Sequence, residues 1–457
     1  MRGRLGRCSG SYFFSANNFS SCNAESQEYN VLEAIKARLK SLSGDKKSVL
    51  ALVGGTTLAQ ALSFLFSPIQ TRLFSPEVFG ELSVFTSITG IVGVIICLRY
   101  ELAIVLPKDD DEGFALLKLS WLFAAIIAGI SLIVFGLWGK CIYTLLNVTS
   151  FGRYWYYVPI TLLLTGIIQS SNYWLIRKRQ FTVLSYNKVL PVLIINLVSI
   201  SLGFTGNRAL GARLFSILVG NIVNIVVLAS VLVPDMKVKR EQQYRKRELV
   251  RKYKNFLVYD IWGALIDNIS WMIVPILMNS YYGSFAAGQY SIGLRVIQIP
   301  ASLIGASIYQ VFLKNANEKK YKNELYVYTK SILKKLFLYI APLIILLLIF
   351  GRNIFIYIFG NRWATAGLYT QILAPWAIVW FISSPISSIY TVLQKQNISL
   401  VISILNLITR FLSLFIGGFL KSDIYGIILF SISGTFINGF SLFLCFKLAK
   451  KSDHTIK

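Results

Sequence analysis

Twelve apolar stretches divide residues 49–446, and each is close to the length that a helix needs to cross a bilayer. About 20 consecutive apolar residues span the hydrocarbon core of a membrane. The chain is 55% hydrophobic and only 14% charged, whereas soluble domains carry about 25% charged residues. We therefore predict an all-α integral membrane protein. The predicted spans are 49–70, 81–106, 114–138, 157–176, 183–203, 211–233, 257–280, 286–313, 332–350, 366–392, 398–420 and 424–446.

The basic residues indicate how these spans are oriented. With both termini inside, 34 of the 46 Lys and Arg residues fall on cytoplasmic segments and 8 on the outer loops. Cytoplasmic loops of membrane proteins are enriched in Lys and Arg. This bias accounts for the net charge of +26 without any nucleic-acid partner. It predicts a multi-pass protein with cytoplasmic N- and C-termini.

Two similar segments indicate that the chain consists of two related halves. One begins at Pro68 as PIQTRLFSPEVFGELS, and the other begins at Pro275 as PILMNSYYGSFAAGQYS. Each passes through a short turn and restarts at a glycine that precedes Glu or Gln, at Gly80 and at Gly288. Self-similarity at one fixed separation is the mark of an internal repeat. The repeat predicts two six-helix bundles of like orientation.

These patterns divide the chain into five segments, with a strongly basic linker between the bundles. The segments are a cytoplasmic tail at 1–48, an N-terminal bundle at 49–236, a basic linker at 237–256, a C-terminal bundle at 257–446 and a cytoplasmic tail at 447–457. The first tail has no apolar core of signal-peptide length. Its first 30 residues carry no interpretable feature, which is consistent with a translation start placed too early.

Ionisable residues within or beside the predicted spans are the candidates for function. A charge at the centre of a bilayer costs about 2.5–3.5 kcal/mol or more, so such residues are retained for a reason. Their depth follows from the rise of about 1.5 Å per helical residue. The candidates are Asp267, Arg295 and Arg410 near the midplane, Asp260 and Lys188 near the cytoplasmic rim, and Arg72 in the first outer turn.

Two interpretations of these charges remain open. In the first, Arg295, Arg410, Lys188 and Arg72 line a water-filled cavity that binds a diphosphate, because guanidinium groups meet phosphate oxygens bidentately. In the second, Asp267 and Arg295 form a buried ion pair that only locks two helices. We favour the cavity because Arg410 has no acidic partner at its own depth. Asp267, with Asp260 on the same helix face, would then modulate this cationic lining.

No motif of a known enzyme class is present. The acidic run at 109–112 could bind a metal–diphosphate, but acidic residues at a helix start also complement the helix dipole, and we favour that interpretation. The chain has no Walker-A loop and no GxSxG or HExxH motif. His454 is the only histidine, and the five cysteines lack metal-site spacing. We expect neither catalytic residues nor a metal site.

Three segments resemble Wzx-type repeat-unit flippases of the multidrug/oligosaccharidyl-lipid/polysaccharide exporter superfamily. They are TRLFSPEVFG at 71–80, RYELAIVLP at 99–107 and GQYSIGLRV at 288–296. The resemblance implies a MATE-like, V-shaped pair of bundles that works by alternating access.

The resemblance also implies the cargo and the setting. The cargo is an undecaprenyl-diphosphate-linked oligosaccharide, turned from the cytoplasmic to the periplasmic leaflet of a bacterial inner membrane for O-antigen (lipopolysaccharide) or capsule synthesis. Arg295 and Arg410 would bind the diphosphate, and a proton or sodium gradient would drive transport. Asp267, with Asp260, would couple transport to that ion or balance the charge. A polysaccharide polymerase and a chain-length regulator are the implied protein partners.

Two other functions are less well supported by the sequence. A multidrug antiporter of the same superfamily should carry more acid than base in its cavity, whereas the predicted midplane has two arginines and one aspartate. A polysaccharide polymerase should have large outer loops, and the outer loops here are short. The glycan itself is not readable from the sequence. Its specificity is expected to come from wall amides such as Gln60, Asn196, Asn268 and Asn406.

Overall fold

The computed structural model describes residues 44–148, 152–238 and 244–455, and these residues are almost entirely helical. The predicted tail at 1–48 lies outside the described residues except for the start of the first helix. The helices are α1 (Gly44–Leu65), α2 (Ser67–Leu73), α3 (Pro76–Ile95), α4 (Asp110–Leu145), α5 (Tyr157–Arg177), α6 (Phe181–Phe204), α7 (Leu210–Lys237), α8 (Lys246–Lys252), α9 (Ile261–Tyr321), α10 (Leu325–Phe359), α11 (Ala364–Ile386), α12 (Ile389–Val392), α13 (Gln396–Phe419) and α14 (Asp423–Thr455).

Nine helical segments in the described part of the chain are long and apolar enough to cross a membrane. One of them, Phe256–Ile299, contains the break of α9 at Gly283, where φ is +85°. α5 is not among the nine, because polar residues such as Gln169 and Asn172 interrupt its apolar sequence. The prediction of an all-α membrane fold is confirmed, whereas the count of twelve spans stays a prediction.

The helices form two packed groups, one from each half of the chain. In the N-half (α1–α7), α6 packs on α1 and α7, and α5 packs on α4 and α7. In the C-half (α9–α14), α11 packs on α10 and α14, and α13 packs on α9 and α14. The main contact between the halves, here called the seam, runs along α3 and α9. We call the end of the molecule that holds the α7–α9 connection the linker end, and the end that holds Gly283 the far end.

At the far end, the two repeated glycines bring α3 and α9 into backbone contact. A Cβ atom on Gly80 would lie 1.9 Å from the carbonyl oxygen of Ser284, and one on Gly288 would lie 1.9 Å from that of Pro76. Small residues allow helices to approach this closely in membranes. Because the two contacts are reciprocal, the segments recognised as a repeat are related by an approximate two-fold axis through this crossing.

Aromatic side chains from both halves surround the glycine crossing. The ring of Phe79 meets Trp363 edge-on with 5.2 Å between centroids, and Trp363 Nε1 donates to the carbonyl oxygen of Thr71 at 3.0 Å. Other buried members of this cluster are Phe74, Ala212, Ile292, Phe355, Phe359 and Ala366. The far end of the seam is therefore closed by apolar packing.

At the linker end, the halves and the linker are held by polar contacts. Arg99 Nε donates to Asp260 at 2.8 Å across the seam. On the linker side, Lys252 pairs with Glu112 at 2.5 Å, and the carbonyl oxygen of Val250 accepts from Tyr100. Tyr100 is fully buried under these residues. Asp260 thus lies at the linker end, and its partner there is Arg99.

The acidic run at 109–112 anchors the start of α4. Asp109 caps this helix and accepts from the backbone N–H of Asp111 at 3.1 Å. Asp110 pairs with Arg177 at 2.9 Å and Lys178 at 2.6 Å, both at the end of α5. The interpretation of this run as a structural helix start is confirmed.

Candidate functional site

Two neighbouring cavities lie in the interior, and one glutamine lines both. The larger, here the C-half cavity, has a volume of about 450 Å³. The smaller, here the seam cavity, has a volume of about 230 Å³ and is lined by Gln60, Ser63, Arg295, Gln298 and Ile299. Gln298 is the shared residue. The walls of the C-half cavity are Asp267, Ser270, Trp271, Gln298, Tyr309, Trp380, Ser383, Ser384, Ser387, Tyr390, Ser399, Ile402, Ser403, Asn406, Arg410, Asn438 and Ser441.

Arg295 places a cation in the seam cavity, between the two halves. It lies on the second arm of α9, and its Nη2 donates to Ser63 Oγ on α1 of the N-half. In the described part of the chain, no carboxylate lies within ion-pair distance of Arg295. A guanidinium without a carboxylate partner keeps donors available for an anion.

Arg410 lies in the wall of the C-half cavity and is more tightly packed than Arg295. Only 4% of it is exposed. Its Nη1 donates to the carbonyl oxygen and the Oγ of Ser270, at 2.7 and 3.0 Å. The guanidinium lies over the Trp271 ring, 4.2 Å from the centroid. Stacking on an aromatic face stabilises a desolvated guanidinium, so Arg410 is held in place by its own half.

Asp267 is exposed in the C-half cavity and accepts from Ser403 Oγ at 3.4 Å. Of the three residues that the sequence places near the midplane, Asp267 and Arg410 line this cavity and Arg295 lines the seam cavity. Among the ion pairs of the described residues, none joins Asp267 to Arg295. The geometry therefore does not support the interpretation of a helix-locking pair. A role of Asp267 in ion coupling stays a prediction.

The other two predicted cations lie away from both cavities. Arg72 is exposed in the last turn of α2 at the far end. Lys188 is exposed on α6, two turns from the start of that helix at the linker end. Neither lines the C-half or the seam cavity. The cationic lining of these cavities is therefore Arg295 and Arg410.

The predicted wall amides also divide into two groups. Gln60 lines the seam cavity and Asn406 lines the C-half cavity. Asn196 is instead buried in the N-half, where its Oδ1 accepts from Gln70 at 2.8 Å. Asn268, next to Asp267 in sequence, lines neither cavity.

Sequence reasoning missed Arg213, the buried cation of the N-half. Its guanidinium lies 5.3 Å from the centroid of the Phe74 ring and 5.0 Å from that of Phe79, and its Nη1 donates to Ser199 Oγ at 2.8 Å. Arg213 is one of the eight cations assigned above to the outer loops, although it lies at the edge of the predicted span at 211–233. Its position inside that span is the signal that could have identified it.

This fold is that of a multi-pass membrane transporter of the MATE/MOP type. An inward-facing multidrug resistance MATE family transporter of the MOP superfamily superposes with a TM-score of 0.69 at 13% identity, covering 88% of this chain and 99% of its own. The lipid II flippase MurJ, in an inward closed conformation, gives a TM-score of 0.68 at 14% identity and coverages of 89% and 91%.

A third solved structure is a MOP superfamily transporter from Pyrococcus furiosus, described as having a binding pocket of reverse polarity. It gives a TM-score of 0.60 at 12% identity, with coverages of 90% and 96%. No curated protein sequence matches the chain. The sequence model of the family described as "Polysaccharide biosynthesis protein" matches residues 69–367. The chain belongs to this family, which confirms the resemblance seen in the sequence.

Proposed function

We propose that this protein moves an undecaprenyl-diphosphate-linked oligosaccharide from the cytoplasmic to the periplasmic leaflet of the bacterial inner membrane, for O-antigen or capsule synthesis. The family and the fold support a transporter or flippase role. The observation that carries the choice of cargo is Arg295, a cation in the seam cavity that contacts both halves. A diphosphate is the anionic group that every polyprenyl-linked saccharide presents.

The position of Arg295 suits a substrate that must be released when the halves move. Its backbone belongs to α9 and its hydrogen-bond partner Ser63 belongs to α1, so the seam cavity changes shape when one half rotates against the other. Guanidinium groups bind phosphate oxygens bidentately, and a low-dielectric environment strengthens that contact. An alternating-access cycle would form and open this site once per turnover.

The closed far end supports entry of the cargo from the linker end. Backbone contact at Gly80 and Gly288 blocks the seam at the far end. The C-half cavity extends from Arg410 to Ser399, which lies near the first turn of α13 at the linker end. In the predicted topology the linker end faces the cytoplasm, where lipid-linked repeat units are made.

The test is complementation of a host in which this gene is deleted. We expect the deletion to accumulate complete lipid-linked repeat units that periplasmic enzymes cannot reach. Wild-type protein should restore surface polysaccharide, Arg295→Lys should restore part of it, and Arg295→Gln should restore none at equal membrane abundance. Arg72→Gln is the matched control, because Arg72 is a cation that lies outside both cavities. This variant should behave as wild type. Normal polysaccharide with Arg295→Gln would refute the assignment.

A multidrug antiporter is the second candidate, and one observation favours it. Asp267 is exposed in a cavity that also contains Trp271 and Trp380, and an acid beside indole rings can bind an aromatic cation. Arg410 already occupies a face of Trp271, which weakens this case. Growth of the deletion strain in cationic dyes separates the two functions, because only an antiporter should protect against them.

A further inference from the structure

The walls of the C-half cavity carry hydroxyl and amide groups in place of the aliphatic side chains that dominate the rest of the chain. Among the described residues, seven serines and two asparagines line it, and Ile402 is the one aliphatic residue. Several of these groups already bond within the protein, such as Ser383 and Ser387. A hydroxyl oxygen that donates in this way keeps acceptor capacity that a ligand or water in the cavity can use.

The charges of the cavity do not favour an anion. Asp267 and Arg410 contribute one charge of each sign. The guanidinium of Arg410 is packed on Trp271 and bonded to Ser270. Among the described residues, the charges of this cavity are thus close to neutral in sum, whereas the one charged residue that lines the seam cavity is Arg295. A neutral ligand with many hydroxyl groups fits the C-half cavity better than a diphosphate does.

Trp380 supplies a flat apolar surface on the cavity wall. It stacks on Trp376 with 5.5 Å between centroids and an interplanar angle of 13°, and it meets Trp271 edge-on at 5.2 Å. Both contacts fix the plane of the indole. A pyranose ring has an apolar C–H face and a rim of hydroxyl groups, so it can pack on such a ring while its rim meets serines and amides.

Asn406 supplies a hydrogen-bond acceptor without a partner. Its Nδ2 donates to the carbonyl oxygen of Ile402 at 3.1 Å, whereas its buried Oδ1 has no hydrogen-bond partner among the described residues. Buried polar atoms are nearly always paired. Because Asn406 lines the cavity, a small rotation of its side chain would bring this unpaired oxygen to a donor on the ligand. A sugar hydroxyl is such a donor.

We propose that the C-half cavity is a saccharide subsite, in which Trp380 packs on a sugar ring and Asn406 accepts from one of its hydroxyl groups. This rests on the proposed function, since the seam cavity would hold the diphosphate. Gln298 lines both cavities and follows Arg295 by one helical turn. In a lipid-linked saccharide the first sugar is bonded directly to the diphosphate. Two adjoining cavities, one cationic and one rich in hydroxyl groups, match that order.

The test uses the purified full-length protein in nanodiscs and two separate probes. One probe is a panel of methyl glycosides of glucose, galactose, rhamnose and N-acetylglucosamine, followed by the fluorescence of the cavity tryptophans. The other probe is farnesyl diphosphate, which carries the diphosphate and no sugar. We expect saturable binding of at least one glycoside. Asn406→Leu should weaken that binding by about tenfold and leave farnesyl diphosphate binding unchanged.

Asn268→Leu is the matched control, because Asn268 also has an unpartnered Oδ1 but lines neither cavity. It should bind glycosides as wild type does. If Asn406→Leu does not fold, Ser403→Ala tests the same wall, with a smaller loss expected. Equal glycoside binding by Asn406→Leu and Asn268→Leu, or no glycoside binding at all, would overturn the subsite.

The two proposals fail in different ways. Loss of farnesyl diphosphate binding in Arg295→Gln, with no glycoside bound by wild type, would overturn the subsite and leave the flippase standing. Glycoside binding that depends on Asn406, without any binding of farnesyl diphosphate, would support the subsite and refute the diphosphate site on which the proposed function rests.

Discussion

The two ends of the seam between α3 and α9 are closed by different physical means. At the far end, Gly80 and Gly288 put backbone against backbone, and aromatic rings from both halves fill the surroundings. At the linker end, the direct ion pair across the seam is Arg99–Asp260, and 45% of the Asp260 side chain is exposed. Close packing thus holds the far end of the seam together, and electrostatic attraction holds the linker end.

This difference indicates which end separates more easily. A partly exposed ion pair contributes about 0–1 kcal/mol and weakens with salt. Disturbing a close-packed contact costs about 1–3 kcal/mol. The linker end is therefore the cheaper end to open from this conformation. The backbone near Arg99 also favours opening at this end, because Leu98 and Arg99 have φ of 50° and 64°. Residues other than glycine in this conformation carry strain of about 1–3 kcal/mol each, which opening can release.

The largest effect should come from adding one methyl group to the glycine crossing. Gly288→Ala places a Cβ 1.9 Å from the carbonyl oxygen of Pro76, so α3 and α9 must move apart. We expect transport to be lost and the free energy of unfolding to fall by about 1–3 kcal/mol or more. Complementation and thermal unfolding in detergent measure both. Gly263→Ala is the control, because the same helix leaves open space at Gly263. Equal transport and equal stability of the two variants would show that close backbone packing does not hold the far end.

A smaller effect should follow from removing one hydrogen bond beside that crossing. Trp363→Phe retains an aromatic ring against Phe79 but loses the donor to the carbonyl oxygen of Thr71. We expect unfolding to become easier by about 0.5–1.5 kcal/mol. The exposed Trp138 of α4 gives the control, and Trp138→Phe should change little. Thermal unfolding at several detergent concentrations measures the difference, and a loss no greater than that of Trp138→Phe would contradict the assignment.

Charge reversal at the Arg99–Asp260 pair should have a still smaller effect, and exchanging both charges should reverse it. Arg99→Asp or Asp260→Arg alone replaces the attraction across the seam with repulsion between like charges, which the partial exposure of the pair screens. The double exchange restores the attraction. We expect each single variant to change the transport rate by about fivefold or less, the equivalent of about 1 kcal/mol. The exchange should recover most of the wild-type rate, and the defect should shrink at high salt. Additive losses in the double variant would show that the pair does not hold the seam.

Features that depend on neighbours in the sequence could be predicted, whereas features that depend on packing between distant segments could not. Helix positions follow from local apolar runs, so the predicted span at 183–203 agrees with the observed Phe181–Phe204. Depth along a helix is also local, and Asp267 and Arg410, placed at one depth by the sequence, both line the C-half cavity. The rotation of a helix about its own axis depends instead on packing against distant segments. This rotation determines that Asn406 lines a cavity while Asn268 does not, so it could be read only from the packed structure. Tyr100 is buried because a distant segment, the linker, packs over it.

The smallest expected effect is a pH dependence confined to the linker. Tyr244 Oη donates to the Asp109 carboxylate at 2.8 Å. This bond, with a further one from the Asp111 N–H, lowers the pKa of Asp109 below its ordinary value. A depressed carboxyl pKa stabilises the folded state above the unfolded pKa of about 3.9, and that contribution is lost as pH falls through the folded pKa. The linker should therefore loosen below about pH 4 while the glycine crossing is unaffected.

Hydrogen exchange of residues 244–255 between pH 6 and pH 3, corrected for the intrinsic rate, measures this loosening. Tyr244→Phe removes the donor, so exchange should already be faster at pH 6 and should rise less on acidification. Asp109→Asn keeps an acceptor that does not titrate, so it should stay close to wild type at pH 6 and also show a reduced rise. The Glu112–Lys252 ion pair also holds the linker, so each variant should reduce the rise without removing it. An unchanged rise in both variants would mean that Asp109 does not hold the linker, and that the linker end depends on its ion pairs alone.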